Sequence, residues 1–82
     1  MKKWDPRNTV LMRHALVRME TRGISKAEVL AVLAKPTLSY PCRNKPGTTI
    51  LGATVNGREV RLLVGTSANG YPCVITVWAP TQ

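Results

Sequence analysis

Residues 48–65 read TTILGATVNGREVRLLVG, and the reading of this stretch decides the fold. Thr48 to Val55 is a run of strand-forming residues, Arg58 to Gly65 is a second one, and Asn56-Gly57 lies between them. Asn-Gly is the strongest short signal for a two-residue hairpin turn, because both central residues must take positive φ. That turn fixes a register: Val55 opposite Arg58, Ala53 opposite Val60, Leu51 opposite Leu62, and Thr49 opposite Val64. This face is apolar and is expected to lie under helices. The other face pairs Thr54 with Glu59, Gly52 with Arg61, and Ile50 with Leu63. It therefore combines an arginine with a glycine that leaves room for it.

Working outward, the chain downstream turns at SANGYP and enters a last predicted strand, Cys73 to Ala79. Ile75 and Val77 are expected to join the core, which sends Thr76 and Trp78 to the side of Arg61. Upstream, Thr37 to Tyr40 reads as a short strand, followed by the cationic loop PCRNKPG. Before that, two helices are predicted. The first opens at Asp5-Pro6, or is capped later by Asn8 or Thr9, and runs to Thr21 with Leu11, Met12, Ala15, Leu16 and Met19 on one face. Gly23 ends it. Ser25-Lys-Ala-Glu28 is a capping box that starts the second helix, which carries Val29, Leu30, Val32 and Leu33 and stops at Lys35-Pro36. The expected architecture is α+β: an N-terminal helical hairpin packed on one face of a three- to four-stranded antiparallel sheet, with residues 1–82 forming a single domain.

The 82 residues are 44% hydrophobic and contain no Phe, so aliphatic side chains must build the core. Twelve Lys and Arg face four Asp and Glu, a formal charge of +8 spread from Lys2 to Arg61. A folded domain this basic attracts polyanions, nucleic acid first among them. No apolar run approaches the roughly 18 residues of a membrane span. MKKWDPRN lacks the apolar segment of a signal peptide, so the expected location is cytoplasmic and no membrane partner is expected. Each of the two cysteines sits in a YPC tripeptide and reads as a small buried hydrophobe. Two Cys and one His are too few for a metal site, so neither metal nor other cofactor is expected.

The chemistry-bearing residues are cationic. His14, Arg18 and Arg22 recur at four-residue intervals along one edge of the first helix's apolar stripe. This is either a solvated flank or an anion-facing edge, in which His moves protons near neutrality and Arg forks grip phosphate. Arg43 and Lys45 in the loop, exposed Arg61, and the Thr76/Trp78 pair add cations and a stacking ring. The chain has no Gly-rich phosphate loop, no Ser/His/Asp set and no paired carboxylates, which excludes most familiar enzymes, including magnesium-dependent nucleases. Metal-independent RNA cleavage stays open. RNA supplies its own 2′-hydroxyl nucleophile, so the protein needs only proton transfer and cations.

The opening WDP, the helix HALVRMETRGIS, then EVLAVLAKP, ILGATVNGREVRLLVG and VITVWAP resemble small toxin domains of the BrnT and RelE kind. They also resemble a related bacterial family of unassigned function marked by a His-x3-Arg-x3-Arg-Gly-Ile helix. That resemblance implies a RelE-like two-layer fold. It further implies RNA as substrate, often translated messenger RNA on the ribosome, and a cognate antitoxin as protein partner. In that reading His14, Arg18, Arg22 and Arg61 are catalytic, while Arg43, Lys45, Thr76 and Trp78 bind the nucleic acid. The alternative is a non-catalytic module that binds nucleic acid or an acidic protein.

Overall fold

A computed structural model describes residues 9–66 and 70–80. Seven elements follow in order: β1 Val10–Leu11, α1 Arg13–Arg22, α2 Lys26–Ala34, β2 Leu38–Pro41, β3 Thr49–Val55, β4 Arg58–Thr66 and β5 Pro72–Trp78. The strands form one mixed sheet in the order β1-β5-β4-β3-β2, with β1 parallel to β5 and all other pairs antiparallel. The two-layer α+β arrangement holds. The expectation of three or four antiparallel strands is corrected to five, one of them parallel.

The hairpin forms in the register its sequence demands, from Thr49↔Val64 to Val55↔Arg58. Asn56 and Gly57 take φ of 55° and 78°, the left-handed pair that a two-residue turn requires. Along β3 and β4, Leu51, Ala53, Val60, Leu62 and Val64 point to the helices and are buried. Ala15, Met19, Val29, Val32 and Leu33 cover them from above. Each fully buried Val or Leu contributes roughly 1.5–3 kcal/mol over its exposed state. α1 lies against β5, and α2 against β3 and β4.

The helix termini are specified locally. Gly23 adopts φ 65°; its N–H donates to the Glu20 carbonyl at 3.4 Å, and the Ile24 N–H donates to the Met19 carbonyl at 2.8 Å. This pair of bonds is a Schellman motif, completed by burial of both Ile24 and Met19 in the core. Ser25 then starts α2 with both halves of the capping box: Glu28 N–H to Ser25 Oγ at 3.2 Å, and Ser25 N–H to Glu28 Oε1 at 2.9 Å. Pro41 closes β2 at the outer edge of the sheet, where a missing N–H discourages further strand pairing.

Three readings are corrected. The first helix does not run from Thr9 or earlier: Val10 and Leu11 pair with Cys73 and Val74, and the Met12 N–H donates to the Val74 carbonyl at 3.0 Å. The helix begins at Arg13 after Met12, which makes no side-chain cap. The Asp5-Pro6 and Asn8 openings lie outside the described residues. Second, Leu16 is 48% exposed and not part of the core stripe. It stands 100° around the axis from Ala15, beyond the reach of the sheet. Third, a bulge interrupts the β4–β5 ladder, so that Leu63 pairs with Thr76 while Val64 pairs with Val74. The extra residue, Ile75, turns to the face away from the helices, and Val74 takes its place in the core.

Candidate nucleic-acid interface

The cations of α1 occupy one edge of a ten-residue helix. His14 and Arg22 are exposed and Arg18 is half-buried. The Arg18 Nε–H donates to His14 Nε2 at 3.4 Å, a long bond between neighbours one helical turn apart. Successive members of the series rise about 6 Å along the axis, so the edge offers its charges as a ladder. Arg22 lies in the last turn, where the carbonyl ends of the helix favour a cation. Arg13 is exposed on the outer surface of the same helix.

Arg61 sits elsewhere. It pairs with Gly52 on one side and Trp78 on the other, on the alternation opposite to buried Val60 and Leu62. Its side chain therefore lies on the sheet face that the helices leave uncovered. Its Nε–H donates to Glu59 Oε2 at 2.6 Å, and its Nη1 donates to the Tyr40 hydroxyl at 3.2 Å. The path from β4 to β2 crosses Gly52, where an added Cβ would stand 3.3 Å from both Arg61 Cγ and Leu38 Cδ2. The bond to Glu59, opposed by partial burial, raises the guanidinium's hold on its proton. Thr76, opposite Leu63, shares this face, and both Thr76 and Trp78 are half-buried.

Arg43 and Lys45 are exposed on the loop between β2 and β3. That loop is closed by its own bonds: Thr48 Oγ1 donates to the Lys45 carbonyl at 2.6 Å, and the Cys42 N–H donates to the Thr48 carbonyl at 3.1 Å. The expected catalytic set is thus divided. His14, Arg18 and Arg22 lie together on α1, on the helical side, while Arg61 lies with Thr76 and Trp78 on the other side of the sheet. A single cleft holding all four proposed catalytic residues is not assembled, because the sheet itself separates them.

Two participants were not singled out from the sequence. Glu59 and Tyr40 fix Arg61, and both follow from register: Glu59 is two residues from Arg61 on one strand, and Tyr40 faces Ile50 beside Gly52. The other ion pair, Arg58 with Glu28, joins the hairpin turn to the helical turn at 2.9 Å. Among the described residues no three His, Cys, Asp or Glu side chains gather as metal ligands. Cys42 and Cys73 are free thiols, the second fully buried. No described helix is long and apolar enough to cross a membrane.

No curated protein and no solved structure matches the chain. One family model does, over residues 11–79, which reaches from the end of β1 to the residue after β5 and takes in every site residue named above. The chain belongs to that family, DUF4258, a domain of unknown function.

Proposed function

We propose that this domain binds nucleic acid, RNA above all, along its helices, with the β2–β3 loop adding cations at one end of the sheet. One observation carries the reading. Arg58 and Arg61 are neutralised by Glu28 and Glu59, which leaves Glu20 as the remaining described carboxylate against Arg13, Arg18, Arg22, Lys26, Lys35, Arg43 and Lys45. Those seven lie on α1, on α2 and its C-terminal end, and on the loop. Five of the seven, Arg13, Arg18, Arg22, Lys26 and Lys35, thus stand with Glu20 on the helices and their ends, and none of the seven is a strand residue of the open sheet face, so a phosphate backbone meets a net positive charge along the helices. Titration of a labelled single-stranded RNA at increasing salt tests this. Affinity should fall linearly in log–log form with a slope near −0.7 per phosphate neutralised. Absence of binding at low salt, or affinity indifferent to salt, defeats it.

A second reading is favoured by the His14–Arg18 bond: a toxin-like, metal-independent endoribonuclease of a toxin–antitoxin pair. His14 Nε2, once released from Arg18, would take the 2′-hydroxyl proton as that oxygen attacks the adjacent 3′-phosphorus; the phosphorus–O5′ bond then breaks, the imidazolium returns the proton to the departing 5′-oxygen, and Arg18 and Arg22 would stabilise the charge on the phosphorane. Arg61 is too far round the sheet to join this step. Labelled RNA incubated in EDTA with wild type and His14→Ala decides between the readings. Fragments ending in 2′,3′-cyclic phosphate from wild type alone establish cleavage at His14. Binding by both proteins without cleavage leaves the non-catalytic module.

A further inference from the structure

An antiparallel sheet with one face on a core usually turns polar residues to water on the other. Here the uncovered face is largely apolar. Register places Leu38 and Tyr40 of β2, Ile50 of β3, Leu63 of β4 and Trp78 of β5 on it. Leu38 and Tyr40 are each 36% exposed, Ile50 and Trp78 are half-buried and Leu63 is buried between them, and no described helix covers this face. Apolar side chains grouped with an aromatic ring and an aromatic hydroxyl on a sheet face without helices are the kind of surface at which partners dock.

Charge decides what fits. The strand residues of this face include one cation, Arg61, and it is already bonded to Glu59 at 2.6 Å. The face is electrically neutral within a chain of charge +8. A polyanion or an acidic protein finds no free cation among these strands. A second copy of the chain finds both signs side by side. We infer that the domain self-associates through this face, about a two-fold axis that sets Arg61 of each protomer against Glu59 of the other. In that arrangement the same patch serves both partners, as a two-fold interface requires. The cationic helical sides point outward, so the two positive charges stay as far apart as the fold permits. Tyr, Trp and Arg, the residues enriched at the centre of such interfaces, stand together here.

The dimensions are adequate. The five strands hold 2, 4, 7, 9 and 7 residues; spaced about 4.8 Å apart and rising about 3.4 Å per residue, they present roughly 500 Å² in projection. With side-chain relief that approaches the about 800 Å² of accessible surface each partner contributes to a stable interface.

Sedimentation velocity of the full chain over a concentration series, at physiological salt, reads the outcome. The expected result is a reversible shift from the 9.0 kDa monomer to twice that mass. Leu38→Arg, at an exposed position, should weaken association at least about tenfold. Arg61→Glu alone sets carboxylates against carboxylates and should do the same. Glu59→Arg combined with Arg61→Glu restores both signs and should restore the dimer, a recovery that a merely structural role for the pair does not produce. Leu16→Ser, on the helical side, should leave the mass distribution unchanged. Circular dichroism of each variant confirms folding, and Leu38→Arg keeps the test decisive where a charge variant unfolds. A monomer at every concentration assigns the face to another occupant and overturns the proposal. So does a dimer that survives Leu38→Arg, or one that the double exchange fails to restore.

Discussion

The Arg58 guanidinium donates to both oxygens of the Glu28 carboxylate at 2.9 Å, and the same nitrogen reaches the Gly23 carbonyl at 3.0 Å. One side chain at the start of β4 thereby ties the hairpin turn to the turn between the helices. Glu28, 8% exposed, also holds the Ser25 N–H that opens α2. Arg58→Ala strands that carboxylate with one partner fewer and should cost about 1–3 kcal/mol in urea unfolding at neutral pH. A loss below a few tenths of a kcal/mol would show the contact to be incidental.

Glu28 also makes stability depend on pH. The Ser25 N–H bond, with the Arg58 guanidinium behind it, outweighs burial and holds the Glu28 carboxyl below its ordinary value. A carboxyl with a depressed folded-state pKa adds stability that is fully present above its unfolded pKa, about 4.3. That contribution disappears as pH falls through the lower, folded value. Unfolding free energy of wild type should therefore drop on acidification below the ordinary carboxylate range. Glu28→Gln should start lower at pH 7 and lose less over the same interval; equal losses in the two proteins remove Glu28 from the account.

Gly52 is required by what crosses it. A Cβ there meets Arg61 Cγ and Leu38 Cδ2 at 3.3 Å, which are flexible side chains and not backbone. Gly52→Ala should consequently cost only about 1 kcal/mol, while displacing Arg61 from the Tyr40 hydroxyl. Thermal unfolding reads the first effect. A Tyr40→Phe substitution that costs wild type something and the Gly52→Ala background nothing reads the second.

The legible parts of this fold were those whose cause is local. Asn56-Gly57 and strict alternation sufficed for the hairpin register, and Gly23 and Ser25-Lys-Ala-Glu28 for both helix boundaries between them. From that register alone Arg61 was placed beside Gly52 and on the side of Trp78. What escaped has a non-local cause. Val10-Leu11-Met12 continues the apolar spacing of Ala15 and Met19, so nothing local distinguishes strand from helix; its strand character comes from pairing with Cys73 and Val74 at the far end of the chain. Likewise Cys73, Ile75 and Val77 alternate as an unbroken strand would, and only the β4 partner reveals that Ile75 is the bulged residue. The division of the site is legible for a local reason: the hairpin's alternation puts its apolar face under the helices and Arg61 on the other face, so only the resemblance, not the register, joins His14 and Arg61 in one catalytic set. Burial of Leu51, Ala53, Val60, Leu62 and Val64 beneath the helices puts Arg61 on the opposite side.

That division separates two arginines that look equivalent in the sequence. Arg18 carries its charge on the helical side next to the His14 ring, whereas Arg61 carries its charge against Glu59 on the other side. If nucleic acid follows the uncompensated charge, Arg18→Ala removes about one phosphate contact and should make the salt slope for single-stranded RNA shallower by about 0.7. Arg61→Ala exposes Glu59 on a face the RNA does not touch, so the slope should stay as in wild type. The double variant should show the sum of the two single effects to within about 0.5 kcal/mol, since the residues share no partner across the sheet. The reverse pattern, a flattened slope from Arg61→Ala with Arg18→Ala silent, would move the RNA to the open sheet face. It would also conflict directly with self-association there, because one face cannot hold a strand of RNA and a second protomer together.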